Sequence, residues 1–211
     1  RPAELFEICN PMYQAIYDNP YCGDVFLYED DEEWHVNNFA WGNARERHKG
    51  YWNKEREEKW KTISDNVRLR WTGCYNCPKD CHQAIKYPGR QTYFQKCYSK
   101  LTYCMAAYKE LDFNYDILGV TQEHGLDGYS TPQVLAFAVE LYEAGILTDK
   151  DLPGFPADSG ERFFYLVEKI VRREGVGDAL ANGVYWAARQ IGKGAEEFVA
   201  TVKGLEIPMH D

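Results

Sequence analysis

The segment Gly73-Cys74-Tyr75-Asn76-Cys77-Pro78-Lys79-Asp80-Cys81 constrains this chain more than any other. It places three of the seven cysteines within eight positions. A Cys-x-x-Cys step lets two thiolates turn in on one centre, and a third arrives from the next turn of chain. Zinc, an iron–sulfur cluster and plain buried thiols are all compatible with such a set. Zinc ordinarily takes a second close pair or a histidine at set spacing, and His82, adjacent to Cys81, is badly placed to converge on the same ion. An all-sulfur set, with Pro78 stiffening the loop, suits a four-iron cluster. That cluster takes four cysteines, and Cys9, Cys22, Cys97 and Cys104 complete no short motif with the three. The fourth ligand is therefore expected to be remote, or to lie outside this chain.

Composition narrows the class. The 211 residues, 45% hydrophobic, suffice for a sizeable core. A net charge of −9 and the run Glu29-Asp30-Asp31-Glu32-Glu33 argue against nucleic-acid binding, which needs a basic surface. The run itself reads as a solvated loop. Nothing approaches the roughly 20 apolar residues of a membrane span. Close-set thiols without a secretory leader favour a reducing, cytoplasmic compartment. The first residues, Arg1-Pro2-Ala3-Glu4-Leu5, lack both Met and an apolar signal core, so the chain is expected to be the interior of a longer polypeptide. Its 16 Tyr and 6 Trp read as ordinary packing, or as a wall for a planar ligand.

Periodicity indicates a mainly α fold. One or two exposed helices are expected over 42–69, broken near Gly50. A helix is expected over 92–111, with Phe94, Tyr98, Leu101, Cys104, Met105 and Tyr108 at three- and four-residue steps. A short helix follows over 113–124, then a loop. The clearest helix opens at Thr131-Pro132, with Thr131 as its cap, and stops at Gly145. Further helices are expected over 161–173, closed by Gly175, and from Asp178 to Gln190, closed by Gly192. The tail 198–208 is β-branched and partly extended. No long alternating strand series is evident, so long amphipathic helices should form the layers.

In order along the chain, several motifs resemble the tungsten aldehyde:ferredoxin oxidoreductase family. Asn38-Phe39-Ala40-Trp41-Gly42 resembles its Asn-Phe-x-x-Gly entry segment, and Cys74-x-x-Cys77-x-x-x-Cys81 its cluster motif. Gly125-Leu126-Asp127 and the helix after it resemble its pterin motif. Lys203-Gly204-Leu205-Glu206 resembles its Lys-Gly-x-Glu segment. The likeness runs over about 37–208.

The resemblance implies a helical middle region, spanning 1–211, of a larger catalytic subunit. A subdivision into a cluster-bearing 1–110 and a pterin-contacting 111–211 fits it. It implies two cofactors, a 4Fe-4S cluster and a tungsten bis-metallopterin. Cys74, Cys77 and Cys81 would be three cluster ligands, with the fourth from a later domain. Asp127 would accept hydrogen bonds from a pterin ring, although its reading from the residues alone is a cap on the following turn. Gln122 stands where the family commonly has Asp. His124, Gly125 and Leu126 complete that segment, and Lys203 and Glu206 would touch the other pterin.

Two departures separate the chain from aldehyde-oxidising members. Their Gly-Pro-Glu-Tyr-Glu stretch is Phe94-Gln95-Lys96-Cys97-Tyr98 here, with Cys97 at or near the tungsten-side Glu. Their His before Val-Lys-Gly is Thr201. A cysteine there would be a soft ligand to tungsten. This is similar to the branch that holds the tungsten subunit of class II benzoyl-coenzyme A reductase. That branch implies reduction of an aromatic acyl-coenzyme A ring, an iron–sulfur electron-transfer subunit or ferredoxin as partner, and an oligomer. His35 and Glu33 are the candidate proton donors; a surface position beside the acidic run is the plainer reading of His35. The alternatives are aldehyde oxidation within the same family, and a noncatalytic helical domain with a structural zinc.

Overall fold

The computed structural model describes residues 54–73, 75, 82–95, 102–107 and 109–206. Helix α1 (Lys54–Val67) is charged on most of its surface. Its buried residues Trp60, Ser64 and Val67 recur at four- and three-residue steps, so one stripe faces the core. Trp60 Nε1 donates to Glu110 at 3.3 Å, and Arg56 and Lys59 ion-pair with the same carboxylate. The expected exposed helix is therefore present from Lys54; the part before it lies outside the described residues.

The chain then enters a sheet that the helical reading did not foresee. Strands β1 (Arg68–Thr72), β2 (His82–Ile85) and β3 (Tyr93–Gln95) pair antiparallel in that order. β2 is central, with Trp71 opposite Gln83 on one side and Gln95 opposite Gln83 on the other. The expected helix over 92–111 is thus corrected at its start. Tyr93 and Gln95 are buried while Phe94 between them is 52% exposed, a period of two rather than 3.6. Helix appears only at α2 (Thr102–Ala107); residues 96–101 and 108 lie outside the described set.

Helix α3 (Leu111–Glu123) meets its expectation within two residues. Its end is a double reversal: Gly125 N donates to Gln122 O at 3.0 Å and Leu126 N to Thr121 O at 2.9 Å. That closure needs a left-handed residue, and Gly125 supplies φ +69°. Helix α4 (Ser130–Glu143) is buried from Thr131 through Val139, so it is the central rod rather than a surface helix. α2 and the later helices Ser159–Arg172 and Val184–Ile191 pack around it. Thr131, expected as its cap, lies inside the first turn. Asp127 makes the capping contacts instead.

Helix α5 (Ser159–Arg172) buries Phe163, Leu166, Val167 and Ile170 on one stripe. It ends at Arg173, left-handed at φ 51°, rather than at Gly175. The expected helix 178–190 is two, α6 (Val176–Leu180) and α7 (Val184–Ile191), separated at Gly183. The tail folds as a hairpin of β4 (Thr201–Val202) and β5 (Leu205–Glu206). Its two-residue turn has positive φ at both Lys203 and Gly204, the geometry that matches strand twist. One apolar cluster runs from Trp60 through β2 and β3 to α7. The architecture is mainly α, and among the described residues no helix is long and apolar enough to cross a membrane.

One junction gives a measurable pH effect. Asp158 caps α5, accepting from Gly160 N at 2.9 Å and Glu161 N at 3.1 Å, and pairs with Lys109. The Lys109 hydrogen bond, with the Glu161 N–H behind it, holds its carboxyl below the ordinary carboxylate range. A lowered folded pKa means the contribution is complete above the unfolded value and fades as pH falls through the folded one. Asp158→Ala should therefore cost about 1 kcal/mol at pH 7. Denaturant titrations should show the gap between wild type and variant closing below about pH 4, the usual carboxylate range. A gap unchanged at pH 3 would discount the charge.

Candidate functional site at the cysteine end of the sheet

The sheet decides where the cysteine segment starts and stops. β1 runs toward Cys74, β2 begins directly after Cys81, and β3 runs toward Cys97. Because neighbours are antiparallel, all three of those strand ends lie at one edge: Thr72 is opposite His82, and Gln83 is opposite Gln95. Cys74 follows Thr72 by two residues, and Cys97 follows Gln95 by two. Chain connectivity alone keeps each within about 7 Å, Cα to Cα, of that strand residue. Cys74, Cys77, Cys81 and Cys97, with His35 and Glu33, lie outside the described residues.

Gln83 is the residue at this edge that sequence reasoning missed. It is 1% exposed, and neither Nε2 nor Oε1 has a hydrogen-bond partner among the described residues. Leaving a buried polar group unmatched costs about 1–3 kcal/mol. The only signal in the sequence was a polar residue ahead of Ala84 and Ile85, in a stretch to which periodicity assigned no element. By its chemistry, a soft, sulfur-only donor set suits an iron–sulfur group. Among the described residues, no His, Cys, Asp and Glu converge as a metal site.

The α3–α4 joint leans on the same sheet. Gln122 Nε2 donates to Phe94 O in β3, and Gln91 N donates to Glu123 Oε1 at 3.1 Å. Tyr93 Oη donates to Tyr115 O at 2.7 Å, and Arg90 pairs with Asp116 at 2.6 Å. These bonds fix the end of α3 to the strand that leads to Cys97. The segment Gln122–Asp127 and the cysteine edge are thus tied to one strand, though far apart in sequence.

Within that segment the roles differ. His124 is exposed, and its backbone N–H donates to Val120 O at 3.2 Å. Leu126 is half-buried and packs on the core. Asp127 is exposed, and its Oδ2 accepts from Tyr129 N at 3.0 Å and Ser130 N at 2.6 Å. The capping role read from the residues is therefore present. A carboxylate has about four lone-pair sites, so two remain for a ligand. Tyr103, fully buried nearby, donates to Thr121 Oγ1 at 3.2 Å. Burial keeps its phenol protonated, and the Asp127 charge pushes the same way.

The hairpin carries the second expected pair. Lys203 stands exposed at the turn. Glu206 turns inward, and its Oε1 accepts from Val184 N, the first helical N–H of α7, at 2.7 Å. Gly183 makes room: a Cβ there would lie 2.9 Å from that oxygen. Glu206 is held by a helix N-terminus, where a carboxylate is favoured. β5 packs against both α4 and α7, so the hairpin is tied to the central rod.

The family described as aldehyde ferredoxin oxidoreductase, domains 2 and 3, matches residues 24–211. The tungsten-containing aldehyde ferredoxin oxidoreductase of Thermococcus kodakarensis is 34% identical over 164 residues, 74% of this chain and 26% of that protein. An aliphatic sulfonate oxidoreductase WOR-like subunit of Pyrococcus furiosus is 42% identical over 97 residues, 43% of this chain and 15% of that one. Among solved structures, the active-site complex BamBC of benzoyl coenzyme A reductase, bound to 1,5-dienoyl-CoA, is 44% identical. It matches all of this chain and 34% of its own, with a TM-score of 0.81. The chain thus spans about a quarter to a third of the longer proteins it matches over most of its length. With the matched region covering both the sheet edge and the two helix-bound segments, the chain belongs to the aldehyde ferredoxin oxidoreductase family.

Proposed function

We propose that this chain is the cluster- and pterin-binding part of a tungsten oxidoreductase that reduces the aromatic ring of benzoyl-coenzyme A to a cyclic dienoyl thioester. The observation that carries this reading is the 44% identity over the whole chain to the benzoyl coenzyme A reductase complex, set beside 34% to an aldehyde-type relative. Cys97 and Thr201, in place of the Glu and His of aldehyde-oxidising members, support the same side.

Under this reading the bound metals supply low-potential electrons for the ring. The chain's own residues hold, orient and protonate. Cys74, Cys77 and Cys81 ligate a four-iron cluster, with the fourth thiolate from elsewhere in the polypeptide. Cys97 is a soft ligand for tungsten. Asp127, rigid through its two backbone bonds, accepts pterin N–H groups with its spare lone pairs. Lys203, exposed at the turn, and Glu206, already fixed by α7, would hold the second pterin. His35 and Glu33 deliver protons. An iron–sulfur subunit or ferredoxin feeds the cluster in a cytoplasmic, oligomeric enzyme.

The test is an anaerobic assay of the full-length protein with benzoyl-coenzyme A and, in parallel, benzaldehyde with a viologen dye. Ring reduction without aldehyde turnover, with tungsten and about four irons per chain from this cysteine set, is the expected result. Aldehyde turnover alone would transfer the chain to the aldehyde branch. Zinc as the sole metal would overturn both.

A further inference from the structure

We infer that Tyr103 is a positioning residue for Asp127: its buried hydroxyl clamps both ends of the turn 122–130 and so fixes the carboxylate. This role rests on the reading of Asp127 as a pterin acceptor and goes beyond it, since Tyr103 lies in none of the motifs.

A closed ring of bonds runs through the two residues. Tyr103 sits in α2, and Asn114 Oδ1 of α3 accepts from the backbone N–H groups of Tyr103 at 3.0 Å and Cys104 at 3.2 Å. The start of α2 is thereby fixed on α3. The phenol then reaches both sides of the turn. Tyr103 Oη donates to Thr121 Oγ1, in the last turn of α3, at 3.2 Å. Its one hydrogen is used there, so the hydroxyl of Thr131, in the first turn of α4, is the donor in the bond that joins it to the same oxygen. Main-chain bonds close the ring. The Thr121 carbonyl accepts from Leu126 N at 2.9 Å, and the Asp127 carbonyl from Thr131 N at 3.2 Å. Leu126 and Asp127 are neighbours, so the ring passes through the backbone of Asp127 itself.

Tyr103 and Thr121 are fully buried and Thr131 is 7% exposed, so water competes poorly for these bonds. The cap contacts of Asp127 with Tyr129 N and Ser130 N are local. They fix the carboxylate on the start of α4, but not the start of α4 on the end of α3. The phenol bridges those two helix ends directly. A binding carboxylate has to be held to within about 0.5 Å, which the local cap alone does not ensure. Tyr103 touches no ligand in this role and acts through Asp127.

The experiment uses full-length protein. Hydrogen exchange of the segment 122–131 is followed by mass spectrometry, and bound pterin is measured as the fluorescent oxidised pterin released on denaturation. Tyr103→Phe keeps the ring and removes only the hydroxyl. Thr131→Val removes the second hydroxyl at nearly the same shape, and Thr131→Ser keeps it. Tyr103→Phe and Thr131→Val should speed exchange of 122–131 about tenfold, the weight of one buried hydrogen bond, while 159–172 exchanges as in wild type. Both should retain about tenfold less pterin, and Thr131→Ser should match wild type in both readings. Asp127→Asn keeps a cap acceptor, so it should lose pterin without the same rise in exchange. Should Tyr103→Phe fail to fold, Thr131→Val set against Thr131→Ser gives the same reading. Unchanged exchange in folded Tyr103→Phe, or faster exchange with wild-type pterin content, overturns the positioning role. An equal rise in Asp127→Asn also overturns it, because pterin loss alone would then open the turn. Wild-type pterin content in Asp127→Asn overturns the reading of Asp127, and the role of Tyr103 with it.

Discussion

In the full-length protein, Cys81→Ser is expected to lose the iron–sulfur centre, whereas Cys97→Ser should keep its iron and lose turnover. The two residues are a demanding pair to separate. Cys81 precedes Gln83 by two positions and Cys97 follows Gln95 by two, and Gln83 and Gln95 are opposite each other in the sheet. Both thiols belong to chain segments that join the sheet at the same edge, so Cys97 is also a candidate for the fourth cluster ligand. The proposed reading gives it to tungsten instead. Substituting a group outside the ligand shell typically costs 10–100-fold in activity, so losing a ligand should cost at least about 100-fold. Iron analysis and the spectrum of the reduced cluster decide between the roles. If Cys97→Ser loses iron as Cys81→Ser does, Cys97 belongs to the cluster, and the remote fourth thiolate is unnecessary.

How far the sequence revealed this arrangement depends on which interactions were local. Phe163, Val167 and Ile170, and Val134, Leu135, Ala138 and Leu141, were legible because a helix's burial pattern is written in adjacent turns, although Leu166 was missed and Val171, read into the same stripe, is exposed. Asp127 was legible as a cap for the same reason, since its partners are two and three residues away. The start of the stretch 92–111 was not. β3 owes its extended form to pairing with β2 and to Gln122, 28 residues on from Phe94. Nor was the break at Gly183 apparent. It exists because Glu206, 22 residues later, takes the N–H of Val184. The bare thiol spacing suggested chemistry, but the common edge shared by the ends of β1 and β3 and the start of β2 comes from strand register. The unmatched amide of Gln83 is visible only once burial is known.

Gly177→Ala should be the most damaging single-methyl change in the described region, and its effect should reach the hairpin. α6 packs directly on the end of α5 at this glycine. An added Cβ would fall inside any real contact distance of the Lys169 carbonyl carbon and oxygen, and 2.9 Å from Ile170 N. All three are backbone atoms and none can swing aside. The Lys169 carbonyl is moreover fixed by Glu174 N at 3.0 Å, and that of Ile170 by Arg173 N at 3.1 Å. Relief requires α6 to move away from α5, against the burial of Ala179 and Leu180. Overpacking ordinarily costs 1–3 kcal/mol, and a backbone-only clash belongs at the top, about 3 kcal/mol. Gly183→Ala is the contrast. Its Cβ would meet the flexible end of Glu206, so it should release the Val184–Glu206 bond and strain one left-handed residue while α5 and α6 stay packed. A denaturant titration should show a large fall in midpoint for Gly177→Ala and a smaller one for Gly183→Ala. Equal midpoints for Gly177→Ala and wild type would mean that α6 does not rest on α5 as described. A shift of α6 carries Gly183 and the start of α7 with it, and through Glu206 the turn that presents Lys203. Weaker pterin retention in Gly177→Ala is therefore the expected second consequence, although Gly177 is not among the residues assigned to the cofactor.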